Sequence, residues 1–323
     1  MLTYIIRRLF FIIPMILGIS LLTLVIMHLA PGDPTSIRYG LNPEVSGTAR
    51  ARLQEIYGLD EPILLQYVNW LKRIVTFDFG RSFIDDRPVI TKIRERLPAT
   101  LLLNISALIV IFAIAIPMGV TSALRHNSLY DRVTTVFVFI GYSTPTFWFA
   151  LILMVVFGFW LGWLPVSGMS PWYTLYYSPL HKFMDLLRHL ILPVTATAFG
   201  GLAAISRYTR SSMLEVVRQD YIRTARAKGL PPKRIIWRHA FKNALLPIIT
   251  IIGFSIPGLI SGGFIMETIF AWPGMGRLTY EAIMNYDYPT VMGGAVISIF
   301  LTLIGILISD ILYAVVDPRI RYK

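Results

Sequence analysis

Few residues in this 323-residue chain have the types and spacing for covalent chemistry. Cysteine is absent, which excludes disulfides, thiol nucleophiles and cysteine-ligated metals. The five histidines stand at 28, 126, 181, 189 and 239, and no two have metal-ligand spacing. No G-x-x-x-x-G-K-[ST] occurs, so any ATP hydrolysis belongs to another chain. An intramembrane enzyme would need paired carboxylates, H-E-x-x-H or a nucleophile with its base, and none is found. The residues that can act are of another kind. They are polar groups set in apolar runs, and one dense basic segment.

Asn104, Ser143, Thr144 and Ser255 interrupt apolar stretches, and Glu267 ends one. They are candidates for a transport path or gate. Small polar residues in such a setting also bond to a neighbouring helix, and both roles stay open. Asp310 lies in the last apolar run, where an ionisable group is a functional candidate by default. It stands near the inner end, which favours pairing with an interfacial arginine. A proton relay would need a second carboxylate in that run, and there is none.

The basic segment reads DYIRTARAKGLPPKRIIWRHAFKNALLP from Asp220 to Pro247. Asp220 can N-cap a short helix, Tyr221–Lys228. Arg226 and Lys228 fall in its last turn, where the helix dipole favours cations. Gly229 suits the stop, and Pro231 and Pro232 block continuation while suiting the start of a second helix. The spacing thus predicts a two-turn knob. Tyr221, Ile222 and Ala225 would fill a groove on a soluble partner, with Arg223, Arg226 and Lys228 as steering and rim charges. The same charges also suit a loop held on anionic lipid. A nucleic-acid patch is disfavoured, because no aromatic interleaving or known module accompanies them.

The elements that position these residues are membrane helices. Apolar residues make up 55% of the chain and charged residues 15%, against about 25% charged in a soluble domain. Spans of about 20 apolar residues are expected at Leu9–Leu29, Leu101–Leu124, within Val133–Leu164, at His189–Ser206, Ala244–Met266 and Val291–Val316. The third should have a kink or an interfacial lead-in at Gly141–Thr146, and the fourth is short and rich in small residues. The first follows Arg7 and Arg8, but it is too long for a signal peptide and lacks a cleavage site, so it is expected to remain as an anchor. The net charge is +12, and its placement is informative. Residues 207–242 hold ten Lys/Arg against Glu215 and Asp220. Arg7 and Arg8, Arg125 and Arg132, and Arg319, Arg321 and Lys323 fall on the same side if the spans number six. Both termini are then cytoplasmic by the positive-inside rule. The expected organisation is an anchor (1–30), an extracytoplasmic insertion (31–99) and a core (100–323) carrying the basic segment (207–243). Within the insertion, Leu64, Tyr67, Val68, Leu71, Ile74 and Val75 repeat at helical spacing and predict an amphipathic helix, packed locally or docking an outer partner. After the fifth span, Pro273, Gly274 and Gly276 force a turn, and Phe270 and Trp272 suit the outer interface.

Several stretches carry a family resemblance. RTARAKG followed by NALLP is similar to the EAA loop of permease subunits of ABC-type importers. Gly229 matches its glycine and Ala225 its second alanine. Arg223 and Thr224 stand where Glu and Ala are usual, and Pro247 lies farther on than the general pattern has it. These departures resemble the peptide/nickel branch. So do YIIRRL (Tyr4–Leu9), HLAPGDP (His28–Pro34), YGLDEPILLQY (Tyr57–Tyr67), FDFGRSF (Phe77–Phe83), LPATLLL (Leu97–Leu103), ETIFAWPGMGRL (Glu267–Leu278) and DILYAVVDPRIR (Asp310–Arg321). The resemblance runs along nearly the whole chain and is nearest to the first of the two permeases of dipeptide and oligopeptide systems. It implies an all-α, six-span, type I importer permease with a helical outer insertion, in a prokaryotic cytoplasmic (inner) membrane. It implies a second homologous permease, two cytoplasmic ATP-binding subunits that hold ATP and Mg, and an extracytoplasmic substrate-binding protein. No cofactor and no metal are implied in this chain. On that resemblance Tyr221, Ile222, Arg223, Ala225, Arg226, Lys228 and Gly229 couple to an ATPase. The same branch includes importers of nickel chelates, glutathione and oligosaccharides. A stand-alone secondary transporter would show inverted repeats, and none is visible.

Overall fold

A computed structural model of the chain describes residues 2–29, 61–169 and 178–316. Among these residues there is no strand, only an isolated bridge between Arg81 and Pro88. The architecture is that of an all-α membrane protein. Four helices are long and apolar enough to cross a bilayer, and two bent pairs bring the number to six if each pair counts as one span.

The centre is a pair of long helices. α3 (Val89–Leu124) and α6 (Pro179–Val217) pack along each other more extensively than any other two. α6 corrects the expectation of a short fourth span. It runs 39 residues, roughly 60 Å, and 61% of its most apolar window is buried within the chain. Its Ala, Gly and Thr content reflects that burial, since small residues let helices approach closely. Its flanks are polar yet helical, so an apolar-length criterion finds only its middle.

α1 (Leu2–Leu29) packs beside the last helix, α13 (Tyr288–Val316). α2 (Ile63–Val75) lies against both: Tyr67, Trp70 and Leu71 meet Leu21, Leu24 and Met292. The Tyr67 hydroxyl donates to the Leu17 carbonyl at 2.6 Å. The expected apolar face of α2 divides. Tyr67, Leu71 and Ile74 turn inward with Trp70, whereas Leu64, Val68 and Val75 are exposed.

α4 (Leu129–Ser143) and α5 (Thr146–Trp160), whose end is π-helical from Met154, meet at 103°. The expected kink is therefore a corner. Thr144 precedes a proline and is held extended (φ −88°, ψ 121°), so the helix cannot run on. α7 (Asp220–Ala227) and α8 (Pro232–Ala244), with a π-helical stretch over Ile235–Phe241, follow α6. The expected fifth span is not one helix. It divides into α9 (Leu246–Ser255), α10 (Gly258–Ser261) and α11 (Phe264–Ile269). Pro257 interrupts the hydrogen-bond ladder, and Gly262 at φ +73° ends it. α12 (Met275–Met284) leads into α13. The start of the outer insertion and the basic C-terminus with Arg319, Arg321 and Lys323 lie outside the described residues.

Candidate functional site

The basic segment folds as a knob fixed at both ends. Gln219, not Asp220, takes the N-cap position, in extended conformation and without a side-chain bond. Asp220 becomes the first helical residue, where its charge suits the positive helix end, and lies 3.6 Å from Arg223. At the other end the Gly229 N–H donates to the Arg226 carbonyl (3.0 Å) and the Leu230 N–H to the Ala225 carbonyl (3.4 Å). That is a Schellman stop, and it needs the left-handed φ of +71° that Gly229 supplies. Pro232 then opens α8.

Ile222 and Ala225 were expected to face a partner. They are buried instead, at 0% and 7% exposure, in a cluster with Val120 and Ala123 of α3, Met213 of α6, and Ile235, Ala240 and Ala244 of α8. The reason lies in the period: positions 222 and 225 share one face, and that face closes over the chain's own apolar surface. Leu230 joins the cluster, adding the apolar contact that often accompanies such a stop. Two polar ties complete the mount. Asn243 Nδ2 donates to the Tyr221 hydroxyl at 3.0 Å, and Ser212 Oγ donates to the Ala244 carbonyl at 2.9 Å. The outward face keeps Tyr221, Arg223, Arg226 and Lys228, with Thr224 between them. Trp237, which the sequence did not single out, is also half exposed, with its ring edge-on to Phe241 at 5.1 Å.

The path candidates are dispersed. Ser143 and Thr144 line an open depression of about 300 Å³ with Pro145, Phe147 and Trp148 at the α4–α5 corner. Thr144 also donates back to the Ile140 carbonyl at 2.7 Å. Asn104 Nδ2 donates to the Leu259 carbonyl at 2.9 Å, tying α3 to α10. Ser255 donates within its own helix, to the Ile251 carbonyl at 2.8 Å.

Glu267 is fully buried in its own turn rather than facing a path. It accepts from the Thr100 hydroxyl at 2.8 Å and the Arg277 N–H at 2.9 Å, while Thr100 accepts from the Met275 N–H at 2.7 Å. A Cβ on Gly274 would fall 2.3 Å from the Glu267 carboxyl carbon, so only glycine lets the backbone wrap this carboxylate. Phe270 and Trp272, expected at an outer interface, are buried at 1% and 0% exposure. The Trp272 indole N–H reaches the Ala99 carbonyl at 2.8 Å, a partner that permits its burial.

Two further carboxylates anchor the scaffold. Asp287, at the start of α13, accepts from the Ser82 hydroxyl (2.5 Å), the Phe83 N–H (2.9 Å) and the Thr290 hydroxyl (2.6 Å). Nothing local in the sequence announces a bond across 205 positions. Asp131 is the other. Its position three after Ser128, ahead of an apolar run, was the signal available for it: the Ser128 hydroxyl accepts from the Asp131 N–H at 3.3 Å.

Comparison with known proteins finds relatives that match along the whole length of the chain. Residues 115–322 match the family described as binding-protein-dependent transport system inner membrane component, and residues 1–104 match the N-terminal counterpart of that family. The chain is 46% identical over 323 residues to the oligopeptide transport system permease protein AppB of Bacillus subtilis, with both chains fully covered. It is 40% identical over 339 aligned positions to the dipeptide transport system permease protein DppB of Escherichia coli K12, and 38% identical to the di/tripeptide permease DppB of Pseudomonas aeruginosa, again over the full length of each.

Proposed function

Because the chain belongs to the family of binding-protein-dependent transport system inner membrane components, we propose that it forms half of the pore of an ATP-driven peptide importer and couples through α7 to a separate ATPase. The observation that carries the coupling role is the division of α7 into two faces. Its apolar face is fixed in the chain's own core, and its basic face is left free. A helix so mounted moves with its scaffold. A partner whose cleft closes on Tyr221, Arg223, Arg226 and Lys228 displaces α6 and α8 with it.

In this proposal six spans place both termini and α7 in the cytoplasm, by the excess of Lys and Arg on that side. A second homologous permease completes the pore. Two ATP-binding subunits hold ATP and Mg, and an extracytoplasmic binding protein delivers substrate to the side that carries residues 77–88. The names of the relatives point to peptides. A peptide backbone offers generic donors and acceptors, so scattered groups such as Ser143 and Thr144 suffice where one dedicated ligand would not be needed. The branch also takes in nickel chelates, glutathione and oligosaccharides, which the substrate test separates.

The test is purification and reconstitution. The chain is expected to co-purify with a sister permease and two ATPases. In proteoliposomes with the binding protein it should take up labelled dialanine or pentaalanine only when ATP is present. Peptide uptake by this chain alone, without ATP, would sink the proposal. Uptake of a nickel chelate, glutathione or an oligosaccharide in place of both peptides would keep the architecture and replace the substrate.

A further inference from the structure

An ion pair between a buried carboxylate and a half-buried guanidinium joins three helices at the end of the molecule that carries α7. Asp131, 3% exposed, stands in the first turn of α4. Arg210 of α6 grips it with two parallel bonds, Nε to Oδ1 at 2.6 Å and Nη2 to Oδ2 at 2.8 Å. Ser122 of α3 donates its hydroxyl to Oδ1, and the Asn127 N–H donates to Oδ2 at 3.0 Å. Thr134 lies 3.2 Å from the Ser122 hydroxyl, and His126 Nδ1 stands 3.3 Å from Arg210 Nη2 and 3.4 Å from Asp131 Oδ2.

Stability alone does not account for this arrangement. A buried carboxylate loses hydration that its partner's attraction does not always restore, and apolar side chains of similar volume often hold a core as well. A two-pronged arginine fork does supply fixed geometry. Its location gives that geometry a use. Arg210 lies seven residues, about 10 Å along the axis, before the end of the helix that leads into α7. The apolar cluster under α7 draws on α3, α6 and α8, and no residue of α4 belongs to it. Asp131 is thus the charged link from the start of α4 across to α6, beside the short turn that joins α4 to α3 and the Ser122–Thr134 contact.

We propose that the Asp131–Arg210 clamp, seated by Ser122, is a transmission joint that makes α4 move with α7, so that motion imposed on α7 reaches the α4–α5 corner at Ser143–Thr144. Asp131 and Arg210 are positioning residues. They touch neither nucleotide nor substrate, and the clamp stays closed throughout the cycle. This inference rests on the coupling role proposed for α7.

The experiment uses the complete reconstituted transporter and reads labelled dialanine or pentaalanine taken up per ATP hydrolysed. Asp131→Asn, which keeps the shape and one acceptor oxygen for Ser122, is expected to assemble and to hydrolyse ATP within about twofold of the parent. Its uptake per ATP should fall by tenfold or more. The chain has no cysteine of its own, so Asp131→Cys with Arg210→Cys can be bridged by a short bifunctional thiol reagent. Bridging should restore the ratio that the unbridged double variant loses. An unchanged ratio in Asp131→Asn overturns the proposal. So does a bridged variant that hydrolyses ATP without transport, because the clamp would then have to open. Failure of both Asp131→Asn and Arg210→Lys to assemble would assign the pair to folding alone and equally overturn it. Failure of the coupling role itself is distinguishable: the parent complex would then show no ATP-dependent uptake at all.

Discussion

Tyr221 and Ile222 are adjacent, and the helical period turns them about 100° apart. Ile222 disappears into the cluster under α7, while Tyr221 remains on the outward face beside the basic residues. Their substitutions should separate accordingly. Ile222→Ala should cost roughly 2–4 kcal/mol locally, the usual range for truncating a buried aliphatic side chain. Hydrogen exchange over residues 220–229 would then rise at least tenfold in the purified complex, and an unaltered rate would argue against the mount. Arg226→Ala lies on the exposed face and should change stability by no more than about 0.5 kcal/mol. If α7 couples to an ATPase as proposed, its effect should fall on that contact: weaker retention of the ATPase in a salt titration, more marked at low salt where surface charges are less screened. Gly229 is a second test at this scale. A Cβ there meets nothing within 4 Å, so any penalty comes from the backbone at φ +71°. Gly229→Val is expected to insert normally but lose transport while ATP hydrolysis continues. Gly229→Asn, which tolerates this conformation, should retain much of the parent's transport. Equal transport by both variants would show that the stop is not needed.

Two helix starts here are held by buried carboxylates in addition to apolar packing. Asp287 at the start of α13 gathers Ser82, Phe83 and Thr290, so the 77–88 segment is docked on the last helix although the chain is in α3 immediately afterwards. Asp287→Ala leaves three donors without their acceptor, at about 1–3 kcal/mol for each that stays buried. The expected result is a segment that opens early. Limited proteolysis should cut between residues 77 and 88 in the variant and spare the parent, and identical digestion patterns would refute the docking role. Glu267 works similarly across the turn between α11 and α12, drawing Thr100 of α3 to the Arg277 N–H. The broken fifth span follows from this turn: Gly262 ends α10 so that the chain can wrap Glu267, and an apolar count alone reads straight through it.

At the scale of the whole molecule, charge asymmetry and helix packing point the same way. α7 and the α3–α4 turn lie together at one end, and both carry basic residues, as the proposed cytoplasmic side requires by the positive-inside rule. The cysteine-free background permits a direct check of that orientation. Cysteine placed at Arg223 should react with a membrane-impermeant maleimide only after the cells are opened. Cysteine at the exposed Ile84 should react in intact cells. The reverse pattern would invert the topology and remove α7 from any cytoplasmic ATPase.

The sequence by itself determined the class of molecule. Long apolar runs must form helices in lipid because every backbone group has to be bonded within its own segment. The stop at Gly229 was also legible, since left-handed backbone, two prolines and terminal cations are local signals. Tertiary structure decided which face of each element turns inward. Ile222, Ala225, Phe270 and Trp272 look like free apolar surface in sequence, yet all four close over the chain's own core. Local pattern records that a face is apolar and not what covers it. The clamp at Asp131, the dock at Asp287 and the wrapped Glu267 share that origin. Each depends on a partner 79, 205 or 167 positions away, and only packing brings such groups within hydrogen-bond reach.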